Sequence, residues 1–400
     1  MDSAEREGLR PKGNVPNLRF KEFEGEWKEE RLADIADLYK GTGISKDQLS
    51  DDGEPCILYG ELYTKYKSET IREVISKTNT NNTKLVKSKA NDVIIPCSGE
   101  TAEDIATARC VLNGNILLGG DLNIIRLHGY DGAFMSYQLN GRRKYDIAKV
   151  AQGVSVVHLY GEHLKGVKTI NPCLEEQKEI AKLLSLLDER IATQNKIIED
   201  LKKLKSAIIE IEYTPNTKAT SPIGDVIEQI SKRNKNNAIQ NVLSVSNRQG
   251  FIKQSDQFEN RNVASEDTSN YKIVEQNDFA FNPARINVGS IARLTTFEKG
   301  IVSPMYICFR TQENVAPEYI DYFFESKHFY CEIQKRLEGS VRQCLSFEGL
   351  CNIPLSLPSF EMQQLIGKRL FTLGQKVKTE TYLLELLNKQ KQYLLRQMFI

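Results

Sequence analysis

Two segments of the chain, one in each half, carry mostly apolar residues spaced alternately four and three positions apart. In the first segment these stripe positions are Ile180, Leu184, Leu187, Ile191, Gln194, Ile198, Leu201, Lys205 and Ile208. The second segment repeats them at a shift of 186, from position 180 to position 366, as Ile366, Leu370, Leu373, Val377, Glu380, Leu384, Leu387, Lys391 and Leu394. This spacing places one stripe along an α-helix and is typical of coiled coils. The pattern therefore predicts two long helices.

The polar interruptions of the stripe, one amide or acid and one lysine, recur at matching positions, which indicates an internal duplication. At the same shift, Pro172-Cys-Leu-Glu-Glu-Gln177 matches Pro358-Ser-Phe-Glu-Met-Gln363, and Asn91-Asp-Val-Ile94 matches Asn277-Asp-Phe-Ala280. A repeat of this length corresponds to a structural unit present twice. We expect two similar domains, each followed by a long helix.

Short apolar runs bounded by Gly and Asn predict strands in both domains. The clearest runs are 92–95, 122–127, 241–246, 301–303 and 306–309, and a helical pattern covers 131–145. Short strands mixed with helices favour the mixed α/β (α+β) class with a largely antiparallel sheet.

The predicted organisation has six parts. They are a flexible N-terminus (1–17), a first domain (18–171), a first spacer helix (172–212), a linker (213–221), a second domain (222–357) and a second spacer helix (358–400). Because the linker is too short to return the chain to its origin, the second helix must run back antiparallel to the first. An apolar stripe is unfavourable in water, so we expect the apolar stripe positions of the two helices to pair. The repeat then imitates a two-fold symmetric dimer.

The composition narrows the class of protein. Lys and Arg total 54 and Asp and Glu total 53, for a formal net charge of +1, so binding to nucleic acid requires basic residues concentrated on one face. No apolar run reaches about 18 residues and the N-terminus is polar, so we expect a cytoplasmic protein without a membrane span. Eight cysteines without C-x-x-C spacing are expected to be reduced core residues.

Motifs for catalysis, metal binding or cofactor binding are absent from the sequence. Asn282-Pro-Ala-Arg285 is the nearest approach to an Asn-Pro-Pro-aromatic motif, and it differs at the third and fourth residues. There is no G-x-x-x-x-G-K-[S/T] loop, and His158 and His163 are not part of an H-E-x-x-H pattern. The sequence therefore predicts a non-catalytic protein without metal or cofactor.

A stiff spacer between two loop-rich domains can measure a distance, and double-stranded DNA offers half-sites at fixed distances. The loops carry the residue types that reach phosphates and base edges. Candidate contacts in the first domain are Lys40, Thr42, Lys46, Tyr63, Thr64, Lys65, Arg142 and Arg143. Those in the second domain are Arg233, Lys235, Arg248, Gln249, Arg285, Asn287, Arg342 and Gln343. Taken singly, each cluster is more often a solvated charged loop than a DNA contact.

Several segments together resemble the specificity subunits of type I restriction–modification systems, over nearly the whole chain. The segments are Leu18-Arg-Phe-Lys-Glu-Phe-Glu-Gly-Glu-Trp27, Leu32-Ala-Asp-Ile35, Tyr59-Gly-Glu-Leu-Tyr63, Gln152-Gly-Val-Ser155 and Gly289-Ser-Ile-Ala292 leading to Val302-Ser-Pro-Met-Tyr306. The Pro-x4-Gln-x2-Ile element that opens a long helix, present twice, is the most specific of the matches.

The resemblance implies two target-recognition domains, each reading one half of a bipartite, asymmetric DNA site. It further implies that the two helices set the gap between the halves and dock two methyltransferase (modification) subunits, to which restriction (translocase) subunits add. Loop positions that match shared family segments, among them Tyr63, Thr64, Lys65 and Ser155, are implied DNA contacts. Two alternatives stay open: a protein-binding coiled-coil scaffold without DNA recognition, and a self-sufficient DNA methyltransferase or nuclease.

Overall fold

The structure is a computed structural model that describes residues 13–80, 84–153, 156–214, 220–247, 249–257, 267–339 and 343–400. The chain divides into two compact units. Unit 1 runs to Asn195 and includes Tyr382–Ile400, and unit 2 is Lys196–Thr381. Each unit therefore contains one α/β domain and about half of each long helix.

Domain 1, in unit 1, is formed by short strands and short helices. Its strands are β1 (Lys28–Arg31), β2 (Ala36–Lys40), β3 (Leu49–Ser50), β4 (Glu54–Ile57), β5 (Thr70–Ile71), β6 (Ser76–Thr78), β7 (Val86–Lys87), β8 (Asp92–Pro96), β9 (Ser98–Gly99), β10 (Arg109–Val111), β11 (Leu117–Leu118), β12 (Leu122–Leu127), β13 (Val157–His158) and β14 (Lys168–Asn171). Its helices are α1 (Leu32–Ile35), α2 (Glu61–Thr64), α3 (Ala102–Ile105), α4 (Gly132–Asn140), α5 (Lys144–Val150) and α6 (Gly161–Lys165), with a 3-10 helix at Lys46–Gln48. Two sheets have the orders β2-β12-β8-β10-β5 and β3-β6-β4-β11-β7, and β1 pairs with β14.

Strand β8 separates two cores of domain 1, because successive side chains of a strand point to opposite faces. Val93 and Ile95 pack with Phe134 of α4 in one core. Ile94 packs in another core with Ile57 of β4, which belongs to the other sheet. Every residue of β8 is buried.

Helix α7 (Leu174–Tyr213) follows domain 1 in the chain, and domain 2 follows the helix. The strands of domain 2 are β15 (Ser221–Pro222), β16 (Ile227–Ile230), β17 (Val242–Ser246), β18 (Gly250–Lys253), β19 (Lys272–Glu275), β20 (Phe279–Phe281), β21 (Ile291–Arg293), β22 (Lys299–Val302), β23 (Ile307–Thr311) and β24 (Pro354–Leu355). Its helices are α8 (Gln254–Gln257), α9 (Pro317–Phe323), α10 (Lys327–Gln334) and α11 (Phe347–Cys351), with 3-10 helices at Ile223–Asp225 and Ile286–Val288. Helix α12 (Phe360–Gln397) comes last.

Domain 2 repeats the strand order of domain 1. The order β16-β23-β20-β21 corresponds to β2-β12-β8-β10, and β18-β17-β22-β19 corresponds to β6-β4-β11-β7. The inner pair of the second sheet is parallel in both domains, β4 with β11 and β17 with β22. Strand β20 also faces two cores, with Phe279 and Phe281 in one and Ala280 in the other. The duplication in the sequence is therefore a duplication of the fold.

The repeated Asn-Asp motif forms the same turn in both domains. Asn91 and Asn277 have φ values of 78° and 71°, in the left-handed region that asparagine tolerates better than most residues. The aspartate that follows is buried and accepts hydrogen bonds from an arginine: Arg126 in domain 1, at 2.7 and 2.9 Å, and Arg310 in domain 2, at 3.1 Å twice. This motif therefore serves the fold, because its charges are paired inside each domain.

The repeated Pro-x4-Gln motif fixes the start of each long helix against its domain. The Gln177 amide donates to the carbonyl of Pro172 at 2.8 Å, and its oxygen accepts from the backbone N–H of Asp131, before α4, at 2.9 Å. Gln363 makes the same pair of bonds, to the carbonyl of its own proline and to the backbone N–H of Ala316, before α9, both at 2.9 Å. Both glutamines are buried, and a buried N–H left unpaired costs about 1–3 kcal/mol.

Every stripe position of α7 and α12 is buried or half-buried. Within unit 1, Ile180 and Leu184 of α7 share a core with Phe399, which follows α12. Within unit 2, Ile209 near the end of α7 shares a core with Leu370 near the start of α12. The start of one helix thus packs with the end of the other, which makes the helices antiparallel.

The predicted fold class is confirmed: two similar mixed α/β domains, each followed by a long helix, in an internal repeat. The predicted helix at 131–145 is wrong in one respect, because the chain breaks at Gly141 into α4 and α5. Of the predicted flexible N-terminus, residues 1–12 lie outside the described residues, and the carbonyl of Asn14 accepts a hydrogen bond from the backbone N–H of Trp27 at 2.8 Å. The predicted domain boundaries stay predictions.

Candidate nucleic-acid interface

A concave surface of domain 2, of about 850 Å³, is lined by four cationic side chains and, among the described residues, by no carboxylate. We call it the basic cleft and define it by Lys232, Arg233, Lys235 and Lys299. The segment after β16 lies along the edge strand β19, because the backbone N–H of Ile273 donates to the carbonyl of Lys232 at 2.8 Å. The segment beside the sheet edge therefore presents Lys232, Arg233 and Lys235, and Lys299 lies at the start of the neighbouring strand β22.

Few contacts among the described residues neutralise the charge of the basic cleft. Lys235 and Arg233 are exposed, and Arg233 donates to the side-chain oxygen of Asn270 at 3.1 Å. Lys299 forms an ion pair with Glu275 at 2.9 Å. The hydrogen bond and the charge of Lys299 lower the pKa of Glu275 below its usual value. Three of the four cations thus have no carboxylate partner among the described residues.

A second concave surface of domain 2, of about 500 Å³, lies where the parallel strands β17 and β22 end. We call it the polar cleft. Its lining carries neutral polar side chains, two exposed apolar ones and one cation, namely Ser244, Ser246, Asn247, Gln254, Asn282, Ser290, Ser303, Val288, Met305 and Arg285, together with two tyrosines. Arg285 is exposed and is the only charged residue of the described lining. This surface can donate and accept hydrogen bonds without repelling an anion.

Asn282 holds an unused donor in the polar cleft. Its side chain is 6% exposed, and its oxygen accepts from the backbone N–H of Ala284 at 3.1 Å. Its amide nitrogen has no hydrogen-bond partner among the described residues. Because Asn282 lines the polar cleft and its amide nitrogen can donate two hydrogen bonds, this nitrogen is a candidate for contact with a bound group.

The structure leaves four of the predicted contacts of domain 1 on the surface. Lys46 and Thr64 are exposed, and Tyr63 is half-buried. Lys40 is exposed and lies 4.0 Å from Asp121, a distance that implies weak pairing in solvent. Burial of the Tyr63 ring raises the pKa of its hydroxyl, which therefore stays protonated at neutral pH.

Two other predicted contacts of domain 1 have structural partners. Thr42 Oγ1 donates to the carbonyl of Lys84 at 3.1 Å and accepts from the backbone N–H of Val86 at 3.0 Å. Lys65 donates to the buried carboxylate of Glu61 at 2.6 Å and to a serine hydroxyl at 2.7 Å. Their polar atoms are occupied inside domain 1.

Arg142 and Arg143 hold the C-terminus of the chain. Arg142 donates to the carbonyls of Arg396 at 2.8 Å and Phe399 at 3.4 Å. Arg143 donates to the backbone oxygen of Ile400 at 3.4 Å. Cations at the end of a helix stabilise the unpaired carbonyls and the negative end of the helix dipole. These two arginines therefore have a role in folding, and we do not retain them as DNA contacts.

The remaining predicted contacts divide into described and undescribed positions. Gln249 and Gln343 are exposed, and Asn287 is half-buried in the 3-10 helix that follows Arg285. Ser155, Arg248 and Arg342 lie outside the described residues.

Sequence reasoning missed Lys232 and Lys299 in the basic cleft and Asn282 in the polar cleft. Lys232 is adjacent to the predicted Arg233, so the cluster itself was a usable signal. Lys299 meets the other residues only through sheet pairing, and no local pattern marks it. Asn282 lies three residues before the predicted Arg285, in a segment that the sequence analysis considered only as a catalytic motif.

Other chemistry is limited in the part of the chain that the structure describes. It contains no group of three or more His, Cys, Asp or Glu side chains arranged for a metal ion. None of its helices has both the length and the apolarity needed to span a membrane. Cys56, Cys97, Cys110 and Cys308 are buried, as expected for core residues, and burial raises the pKa of Cys56 to about 11. The expectation of core positions is wrong for Cys173 and Cys331, which are exposed.

Comparison with known protein families gives two matches along the chain. Residues 24–203 and 215–389 each match the type I restriction modification DNA specificity domain. The chain belongs to this family. The two matches coincide with the two halves of the duplicated fold, so each half is one copy of the specificity domain.

Individual relatives agree with this assignment. The chain is 25% identical to the type I restriction enzyme MjaVIII specificity subunit of Methanocaldococcus jannaschii, over 93% of this chain and 91% of that protein. It is 27% identical to the putative MjaX specificity subunit of the same organism, over 52% of each. The crystal structure of a type I restriction-modification S subunit from M. genitalium matches 96% of this chain and 99% of its own, with a TM-score of 0.62 and 17% identity. At that identity the structural match shows a shared fold.

Proposed function

We propose that the protein is a non-catalytic recognition subunit that acts in the cytoplasm, with each domain reading one half of a bipartite, asymmetric site on double-stranded DNA. The observation that carries this proposal is the duplicated fold: equal strand orders in domains with different loops, each joined to a long helix. Equal frames with different loops suit two readers of different sequence.

In domain 2 the two clefts contact different parts of the DNA. The basic cleft contacts phosphates, because its cations act on charge without distinguishing bases. The polar cleft contacts base edges, because amides and hydroxyls match their donors and acceptors and because Val288 and Met305 can contact a thymine methyl group. Asn282 and Arg285 are the residues that we expect to discriminate bases, through a purine edge.

In domain 1 we assign DNA contact to Lys40, Lys46, Tyr63 and Thr64. These side chains lie at the surface; the Thr64 hydroxyl donates to the carbonyl of Gly60 at 2.7 Å and can still accept a hydrogen bond. This half of the interface has fewer free cations than the basic cleft, so we expect domain 2 to contribute more of the salt-dependent affinity.

The long helices are proposed to set the gap between half-sites and to dock two methyltransferase subunits, through which restriction subunits join. Exposed apolar side chains outside the stripe, on the surface of both helices, support the proposal of docking. In unit 2, Ile197, Leu204 and Ile211 of α7 repeat every seven residues and are 40%, 50% and 69% exposed. In unit 1, Tyr382 and Tyr393 of α12 are each 59% exposed. Exposed apolar rows of this kind are typical of protein interfaces.

The test is a methylation map of DNA from cells that carry the host's methyltransferase subunit with and without this chain. We expect one bipartite motif that appears only when the chain is present. Binding of the methyltransferase subunit without any motif would favour the scaffold alternative. Methylation or cleavage by the purified chain alone would favour the self-sufficient enzyme.

A further inference from the structure

The lysine of the second stripe, Lys391, is held by an acidic cluster in unit 1. Lys391 Nζ lies 2.6 Å from Glu69 of domain 1 and 2.6 Å from Asp188 of α7. Asp188 also accepts hydrogen bonds from Tyr137 of α4 at 2.7 Å and from Ser68 at 3.0 Å. Domain 1, α7 and α12 thus meet at one ammonium group, and the three charged side chains are 7–14% exposed.

The lysine at the matching position of the first stripe makes a simpler contact in unit 2. Lys205 Nζ lies 2.6 Å from Glu325, just after α9, and 5.0 Å from the ring centre of Tyr322. The two side chains of this ion pair are 23% and 48% exposed. The position was duplicated together with the stripe, yet the two copies differ in burial and in the number of carboxylates.

Burial makes the first cluster the stronger of the two. Burial alone would lower the pKa of Lys391, but attraction to Glu69 and Asp188 outweighs it and raises that pKa, so the ammonium is charged at neutral pH. Removing one partner of a buried pair leaves an uncompensated charge, whereas an exposed pair contributes little. Loss of Lys391 should therefore weaken the contact between its domain and the helices more than loss of Lys205 does.

The position of the first cluster allows it to affect the angle between domain 1 and α7. Asp188 lies eleven residues after Gln177, so the cluster and the Gln177 contact are about 16 Å apart along α7. Ile180 and Leu184 of α7 pack in the core of domain 1 between these two points, and the cluster is the buried polar attachment farther along the helix, so we expect its loss to loosen the angle between domain 1 and α7. For a domain of this size the far edge is about 30 Å from the helix, and a tilt of about 7° moves that edge by about 3.5 Å, one base pair.

We propose that Lys391 and Lys205 are positioning residues that clasp each domain to its helices, and that the Lys391 clasp determines how strictly the gap between half-sites is measured. This inference rests on the proposed function, because it concerns the regulation of the same DNA-reading surface.

The experiment maps methylation by the full chain with its methyltransferase subunits, comparing Lys391→Met and Lys205→Met with wild type. We expect Lys391→Met to raise the fraction of methylated sites whose gap is one base pair longer or shorter by about tenfold or more, equal to about 1.4 kcal/mol. Lys205→Met should raise it by less than about threefold. The bases of both half-sites should stay the same, and Lys391→Arg should restore the wild-type gap.

Matched controls and outcomes separate the clasp from the proposed function. Lys389→Met and Lys203→Met remove exposed lysines from the same helices and should leave the gap unchanged. A lower melting temperature for Lys391→Met with an unchanged gap distribution would reduce Lys391 to a structural role and overturn the clasp. If Lys391→Met does not fold, Glu69→Gln removes one carboxylate of the cluster instead; a broader gap distribution would support the clasp, and an unchanged one would overturn it. Absence of a bipartite motif for wild type would instead refute the proposed function.

Discussion

Removing positive charge from the basic cleft should weaken DNA binding in a salt-dependent way. The perturbation is the double variant Arg233→Ala with Lys235→Ala. Both side chains are exposed and have no carboxylate partner among the described residues, so the change in the free energy of unfolding should stay within about 0.5 kcal/mol.

The magnitude follows from counterion release. Each phosphate neutralised on duplex DNA contributes about 0.9 to the slope of log affinity against log salt, so the double variant should lower the slope by about 1.8. At 0.1 M salt this corresponds to a loss of about 60-fold in affinity, and the loss should be nearly the same for cognate and non-cognate DNA.

The assay is fluorescence anisotropy with a labelled duplex across a series of salt concentrations. Lys368→Ala with Arg369→Ala is the matched control, because it removes the same charge from exposed positions of α12. The reasoning is refuted if the double variant keeps the wild-type slope, or if the control lowers the slope equally, since binding would then depend on net charge and not on the cleft.

Three further predictions concern the seam, the polar cleft and the edge of the basic cleft. Leu187→Asp with Leu373→Asp places charges in the seam and should prevent both helix pairing and assembly with the methyltransferase subunit, measured by circular dichroism and gel filtration; intact assembly would contradict it. Asn282→Ala should relax one position of one half-site, at a cost of about 1–3 kcal/mol in discrimination, and an unchanged methylation motif would exclude Asn282 from base reading. Glu275→Gln should free Lys299 and increase the salt slope by up to about one. Because the pKa of Glu275 is lowered, the stabilising pair is present above the unfolded-state value near 4.5 and is lost as pH falls through the lowered value, so wild type and Glu275→Gln should converge in thermal stability at low pH.

The long helices could be predicted from the sequence because their signal is local. The stripe repeats within a few residues, and the predicted spans of 172–212 and 358–400 compare with Leu174–Tyr213 and Phe360–Gln397 in the structure. The repeat register was equally informative, since equal positions in the two halves have equal partners, as Gln177 and Gln363 show.

The candidate site could be predicted only in part because its partners are distant in the sequence. Arg142 resembled a surface cation until the fold brought it to carbonyls more than 250 positions away. Lys391 fitted the stripe as a polar interruption, yet its charge is matched by Glu69, at the opposite end of the chain. Hydrogen-bond and charge partners of this kind depend on tertiary structure, which no local pattern encodes.

The central claim is that the paired helices measure the gap between two DNA half-sites. Deleting one heptad from each, residues 191–197 together with 377–383, keeps the stripes in register and shortens the pair by about 10 Å. Methylation mapping should then show both half-sites unchanged and a gap shorter by about three base pairs. Retention of the original gap by a folded, active variant would contradict the claim.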